Sequence, residues 1–201
     1  MRIAILGTGP VGIALGNAFI AAGHDVVYGS RSPEKDGRPA PVTTTAIAAD
    51  SADLILTALP GAAAISTLEA VGDDVLAGKI VLDVSNAVTP EGALAYPNDS
   101  VGRLMQERFP DAKVVKSLST MYHGVMTDPT ALGATTVYVS GNDDDAKNVV
   151  KSLLSDLGWP EASQFDLGGI ETAVGPEHYI PLFFMTLQAV GAPVFNINVV
   201  R

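Results

Sequence analysis

The chain has 201 residues, 47% of them hydrophobic and 17% charged. That fits one well-cored domain with at most a small appendage and excludes an intrinsically disordered chain. The net charge of −10 argues against nucleic acid or an anionic membrane as partner, and the lack of cysteine excludes disulfides, thiol catalysis and cysteine-based zinc sites.

Residues 2–6 form a short apolar run that ends in glycine and reads as a buried parallel strand. Gly7-Thr8-Gly9-Pro10-Val11-Gly12 follows, and then Val11, Ala14, Leu15, Ala18, Phe19 and Ala22 recur at helical spacing. Pro10 stands where a first helical turn tolerates proline, and Gly23 where a helix stops. Residues 25–28 are a second strand, which completes a βαβ-sized beginning. The alternation continues. Helices are expected at 46–52, 62–71, 74–76, 101–109 and 143–157, the last with Asn142 as N-cap. Strands are expected at 54–59, 79–84, 114–118, 136–140 and 164–167. A long apolar helix pattern over 171–190 is interrupted by Pro176 and Pro181, while 33–41 and 87–100 read as loops.

Strands alternating with helices predict an α/β protein, a Rossmann-type doubly wound and mainly parallel sheet with a small C-terminal α/β part. A soft boundary near Gly141 gives a dinucleotide-binding domain over 1–141 and a small part over 142–201 packing on it; one continuous domain is the alternative. No apolar run reaches about 18 uncharged residues, and no signal-like pattern precedes the first strand. The expected location is cytoplasmic.

Each glycine of the first turn has a role in dinucleotide binding. Gly7 permits the bend out of the strand, Gly9 lets a pyrophosphate approach the backbone, and Gly12 lets helix and sheet pack closely. The helix start offers free N–H groups and the positive end of its dipole. The tip of the second strand indicates which dinucleotide. An NAD site carries a carboxylate there, whereas this chain has Tyr28-Gly29-Ser30-Arg31-Ser32, with Lys35 and Arg38 further along the loop. Ser30 can hydrogen-bond a 2′-phosphate and Arg31 can pair with it, so the cofactor is expected to be NADP. A solvated turn with scattered charges is the bland alternative.

The residues 2–9, and then Gly23-His-Asp-Val-Val-Tyr-Gly-Ser-Arg31, resemble the coenzyme F420-dependent NADP oxidoreductases. Leu59-Pro60, Asp83-Val-Ser-Asn86, residues 166–169 and Asn196-Ile-Asn-Val-Val extend that resemblance over nearly the whole chain. It implies a Rossmann domain with a smaller C-terminal part, a homodimer, and hydride transfer between NADPH and the deazaflavin F420; related domains pass hydride to a flavin. The chain departs from the family's Lys-Ala-Phe-Asn-Thr, having Lys116-Ser117-Leu118-Ser119-Thr120 in its place, and this leaves the identity of the small-molecule hydride acceptor open.

Ligands of open α/β sheets bind outside the carboxyl ends of the strands. The candidate cofactor residues are therefore Gly7, Thr8, Gly9, Pro10, Val11, Gly12, Ser30, Arg31, Lys35, Leu59, Pro60 and Asn86, with Ser119, Thr120 and Met121 nearby. His123 is the candidate catalytic residue, as hydrogen-bond partner of the acceptor or general acid. Met121, Tyr122 and Met126 can wall a flat ring or simply fill core. The three histidines lack ligand spacing, so no metal site is expected. Two rival functions stay open: reduction of a small carbonyl or imine, and an NADPH-sensing module without turnover.

Overall fold

The structure, a computed structural model, describes residues 1–33 and 38–200. Its strands are β1 (Arg2–Leu6), β2 (Asp25–Ser30), β3 (Val42–Thr44), β4 (Leu54–Thr57), β5 (Ile80–Asp83), β6 (Lys113–Ser117), β7 (Val137–Gly141) and β8 (Gln164–Gly168). The helices are α1 (Pro10–Ala21), α2 (Thr45–Asp50), α3 (Gly61–Val71), α4 (Asp73–Leu76), α5 (Val101–Arg108), α6 (His123–Thr127), α7 (Asp144–Asp156), α8 (Val174–His178) and α9 (Ile180–Val190).

All eight strands join one sheet in the order β3-β2-β1-β4-β5-β6-β7-β8. Every neighbouring pair is parallel except β6 and β7. The apolar runs explain the layers. Side chains alternate across a strand, so Ile3 and Ile5 of β1 face Leu15 and Phe19 of α1, while Ala4 and Leu6 face the opposite layer with Ala48 of α2 and Leu68 of α3. Burial on both faces is why β1, β4 and β5 read as continuous apolar runs rather than alternating ones. The chain leaves β1 toward β2 and β3 on one side and resumes at β4 on the other. This reversal is the topological switch point at which such sheets bind ligands.

Several local expectations shift. Helix α7 is capped by Asp143, whose carboxylate accepts from Ala146 N at 2.8 Å, not by Asn142. The Asn142 side chain instead accepts from Ile170 N at 2.9 Å. The apolar pattern over 171–190 divides into a 3-10 turn (Ile170–Ala173), α8 and α9, with Pro181 in the first turn of α9, where its missing N–H costs nothing. β3 and α6 arise within segments that carry no strong periodicity. No helix among the described residues is long and apolar enough to cross a membrane.

Candidate functional site

The glycine turn between β1 and α1 is built to a close tolerance. Gly7 has φ 119°, and a Cβ there would lie 2.3 Å from the Ala58 carbonyl oxygen. A Cβ on Gly12 would lie 2.2 Å from the Gly7 carbonyl oxygen, so β1, β4 and α1 pack through both glycines. Gly9 differs: a Cβ there meets nothing within 4 Å. It is exposed and forms the N-cap of α1 with no side-chain cap, and Pro10 opens the helix. Open space thus lies beside Gly9 at the start of α1, where Pro10 has no N–H and the first free N–H groups of the helix are those of Val11 and Gly12; a pyrophosphate fits such a helix start. Val11 is half-buried and packs against the core.

Gly7, Thr8, Ser30, Arg31, Leu59 and Pro60 come together around one cleft of about 560 Å³. The outward face of α3 closes its other side through Ala63, Ser66, Thr67 and Ala70. Ser30 ends β2 and its hydroxyl accepts from Ser32 N at 3.1 Å, which turns the chain at the strand tip. Arg31 is exposed at the cleft rim. Lys35 lies outside the described residues. Arg38, read from sequence only as part of a mildly positive loop, lines the same cleft.

Asn86 stands one strand further along, beyond Pro60, where its carbonyl accepts from Gly61 N at 3.1 Å. Its side-chain amide Nδ2 donates to the Ser119 carbonyl at 2.7 Å. A carbonyl oxygen can only accept, so this bond fixes which end of the amide is which and leaves Asn86 Oδ1 as a buried acceptor with no partner among the described residues. The hydroxyls of Ser85, Ser119 and Thr120 are likewise buried and unpartnered. Four such atoms gather at the ends of β5 and β6, and it is this clustering that points to a polar ligand. Leu118, immediately before Ser119, has φ 59°. A buried leucine in the left-handed region costs on the order of 1 kcal/mol or more, and it sits where strain marks functional turns.

Below this end lies a buried charge cluster that the sequence reading did not find. Lys116 of β6, 1% exposed, donates to Asp83 Oδ2 at 2.7 Å and to the Ser85 carbonyl, and pairs with Glu177 Oε1 at 3.0 Å. Asp83 also accepts from Thr57 Oγ1 at 2.6 Å and Ser85 N at 3.1 Å. Glu177, from α8, accepts from Val101 N and Gly102 N at 2.8 and 3.0 Å and so caps α5. Burial works against the Lys116 ammonium, but the Asp83 and Glu177 carboxylates outweigh it and hold its pKa above the ordinary lysine value. The partners lie tens of residues apart, so no local pattern announces them.

His123 opens α6, which packs on α1, and its half-buried ring lies 4.0 Å from that of Tyr122. His24 contacts Asp156 at 3.0 Å, and His178 lies against the carbonyls of Tyr96 and Asp99 at 3.1 and 3.0 Å. Both are engaged in holding the fold. Met121 and Met126 are core residues, 6% and 4% exposed, and the Met126 carbonyl accepts from Trp159 Nε1 at 3.0 Å.

The family model of coenzyme F420-dependent NADP oxidoreductases matches residues 2–87. An F420-dependent NADP reductase from Methanocaldococcus jannaschii is 28% identical over 205 residues, covering 90% of each chain. The crystal structure of a candidate F420-dependent NADP reductase from Arthrobacter sp. FB24 is 37% identical, covers 100% of both chains and superposes with a TM-score of 0.93. The chain belongs to the coenzyme F420-dependent NADP oxidoreductase family. As an F420-dependent NADP oxidoreductase family member it carries a Rossmann-like, mostly parallel α/β sheet. An imine reductase from Streptomyces aurantiacus, 17% identical with a TM-score of 0.69 over 94% of this chain and 64% of that one, shares the fold alone.

Proposed function

We propose that this chain transfers hydride between NADP(H) and the deazaflavin coenzyme F420. The observation that carries the reading is the line of unsatisfied groups along the carboxyl edge of the sheet. Arg31 stands at the β2 tip, open space surrounds Gly9 at the start of α1, and buried polar atoms without partners lie on Ser85, Asn86, Ser119 and Thr120. They match the order of groups in NADP: 2′-phosphate, pyrophosphate, nicotinamide. Hydride passing between two flat rings needs alignment and exclusion of water more than side-chain proton transfer, because the cofactors carry the reaction. That agrees with a site rich in hydroxyl and amide groups. His123, beside α1, is the residue proposed to hydrogen-bond the acceptor.

The family's name supports F420 over a flavin, and parallel assays decide it. NADPH oxidation is measured with F420, FMN and FAD as acceptors. Turnover with F420 and little with the flavins is expected; a preference for FMN or FAD would reassign the acceptor. Tight NADPH binding with no turnover on these or on small carbonyls and imines would make the chain a redox-sensing module.

The same reading includes a cytoplasmic homodimer. Helix α9 contains no charged residue, and Leu182, Phe184 and Met185 on it are 55%, 47% and 67% exposed. An apolar surface of this kind favours self-association. Sedimentation at micromolar concentration is expected to give twice the monomer mass, and a monomer would remove that part of the proposal.

A further inference from the structure

This is an acidic chain, with 22 aspartates and glutamates against 12 lysines and arginines. Carboxylates are therefore plentiful, and the described cations use them. Outside the cleft at the β2 tip, each described lysine and arginine pairs with a carboxylate, apart from Lys79, which donates to the carbonyls of Ala49, Asp50 and Ala52 at the end of α2. Arg31 and Arg38 are different. Both line the cleft, and neither has a carboxylate or hydrogen-bond partner among the described residues.

Arg38 is the more informative of the two. An exposed arginine such as Arg31 can leave its donors to water, but the Arg38 Nε–H is buried and has no acceptor among the described residues. Burying a donor of a charged group without an acceptor is costly, so the site is complete only when an anion is supplied. The two arginines bound the loop that joins β2 to β3, Arg31 at its start and Arg38 near its end, and Ser30 and Ser32 share the cleft with them. Guanidinium groups offer forked donors matched to phosphate oxygens. With the pyrophosphate assigned to the start of α1, the anion at this end is a phosphate monoester on the adenosine ribose.

We infer that Arg38 is a second specificity-determining residue for the 2′-phosphate, acting with Arg31 as a pair of guanidinium donors. This rests on the NADP(H) reading above and extends it to a residue outside the strand-tip motif.

The test is equilibrium binding of NADPH, NADH, 2′,5′-ADP and 5′-ADP to the wild type, Arg38→Gln, Arg31→Ala and the double variant. Arg38→Gln should weaken NADPH and 2′,5′-ADP by about 10- to 100-fold, the effect of losing a hydrogen bond to a charged group. NADH and 5′-ADP should bind as to the wild type, which also shows that the variant is folded. The double variant should treat NADPH and NADH alike. Equal weakening of all four ligands would overturn the inference and assign Arg38 to the adenine face, where a guanidinium stacks without regard to the 2′ position. Unchanged NADPH binding in Arg38→Gln, with wild-type preference for NADPH intact, would overturn it while leaving the NADP(H) reading in place. A wild type that does not favour NADPH over NADH would instead overturn the parent reading and this one with it.

Discussion

Asn86 has one of its two amide ends already committed. Its Nδ2 donates one hydrogen to the Ser119 carbonyl, which turns the amide so that its oxygen is the atom left without a partner among the described residues, and that oxygen seeks an N–H. The carboxamide of nicotinamide supplies one. A cofactor analogue with an acetyl group in place of the carboxamide lacks the donor. Wild type should therefore bind reduced NADP more tightly than reduced acetylpyridine-NADP, by about tenfold for one hydrogen bond, whereas Asn86→Ala should bind the two alike. If Asn86→Ala still discriminates as the wild type does, the carboxamide is read elsewhere. The strand-tip residues and Asn86 were legible because they follow apolar runs. The Ser119 carbonyl that orients Asn86 was not, since its direction depends on the left-handed Leu118, and no spacing rule predicts a buried leucine at φ 59°.

At the scale of elements, the first turn separates two kinds of glycine that the sequence motif treats alike. Gly12 is needed by the fold, because its Cβ would meet the Gly7 carbonyl at 2.2 Å; Gly9 faces open space and is needed only by a ligand. Gly9→Ala is accordingly expected to keep the wild-type unfolding midpoint and lose NADPH affinity. Gly12→Ala should lose both, with a destabilisation of about 1–3 kcal/mol from overpacking. Thermal unfolding with and without NADPH distinguishes these outcomes, and a Gly9→Ala variant that binds NADPH normally would remove the pyrophosphate from this turn. The β1-α1-β2 unit was readable in full, since its strands are apolar runs and its helix has a regular apolar repeat. β3 was not, because it is a three-residue, partly exposed edge strand preceded by prolines. Nor was the reversal of β7, because side-chain alternation is the same whichever way a strand runs.

For the molecule as a whole, the Lys116 cluster ties together parts of the chain that local patterns treat separately. Replacing Lys116 with methionine would leave Asp83 and Glu177 buried without their cation. Loss of one partner from a buried pair costs about 3–5 kcal/mol, and urea unfolding at neutral pH should show it; an unchanged midpoint would mean that water reaches the cluster. The pH dependence follows from the direction of the Lys116 shift. Its folded pKa lies above the unfolded value of about 10.4, so its contribution is complete below that pH and is lost as pH rises through the folded value. The part of the wild type's stability that Lys116 supplies should therefore be lost only in strongly alkaline solution, a loss that Lys116→Met should not show.

Glu177 gives that cluster a bearing on how the chain can be reused. It reaches from α8 to neutralise Lys116 and to cap α5, two elements within the first 141 residues. A fragment ending at Gly141 would keep the glycine turn and the β2 tip, yet it would carry a half-paired buried lysine and leave the Val101 and Gly102 N–H groups at the start of α5 without their acceptor. Transplanting the nucleotide-binding half into a chimera would thus require redesigning Lys116 and the start of α5 as well. The cofactor site of this small protein is portable only together with the C-terminal segment that underwrites it.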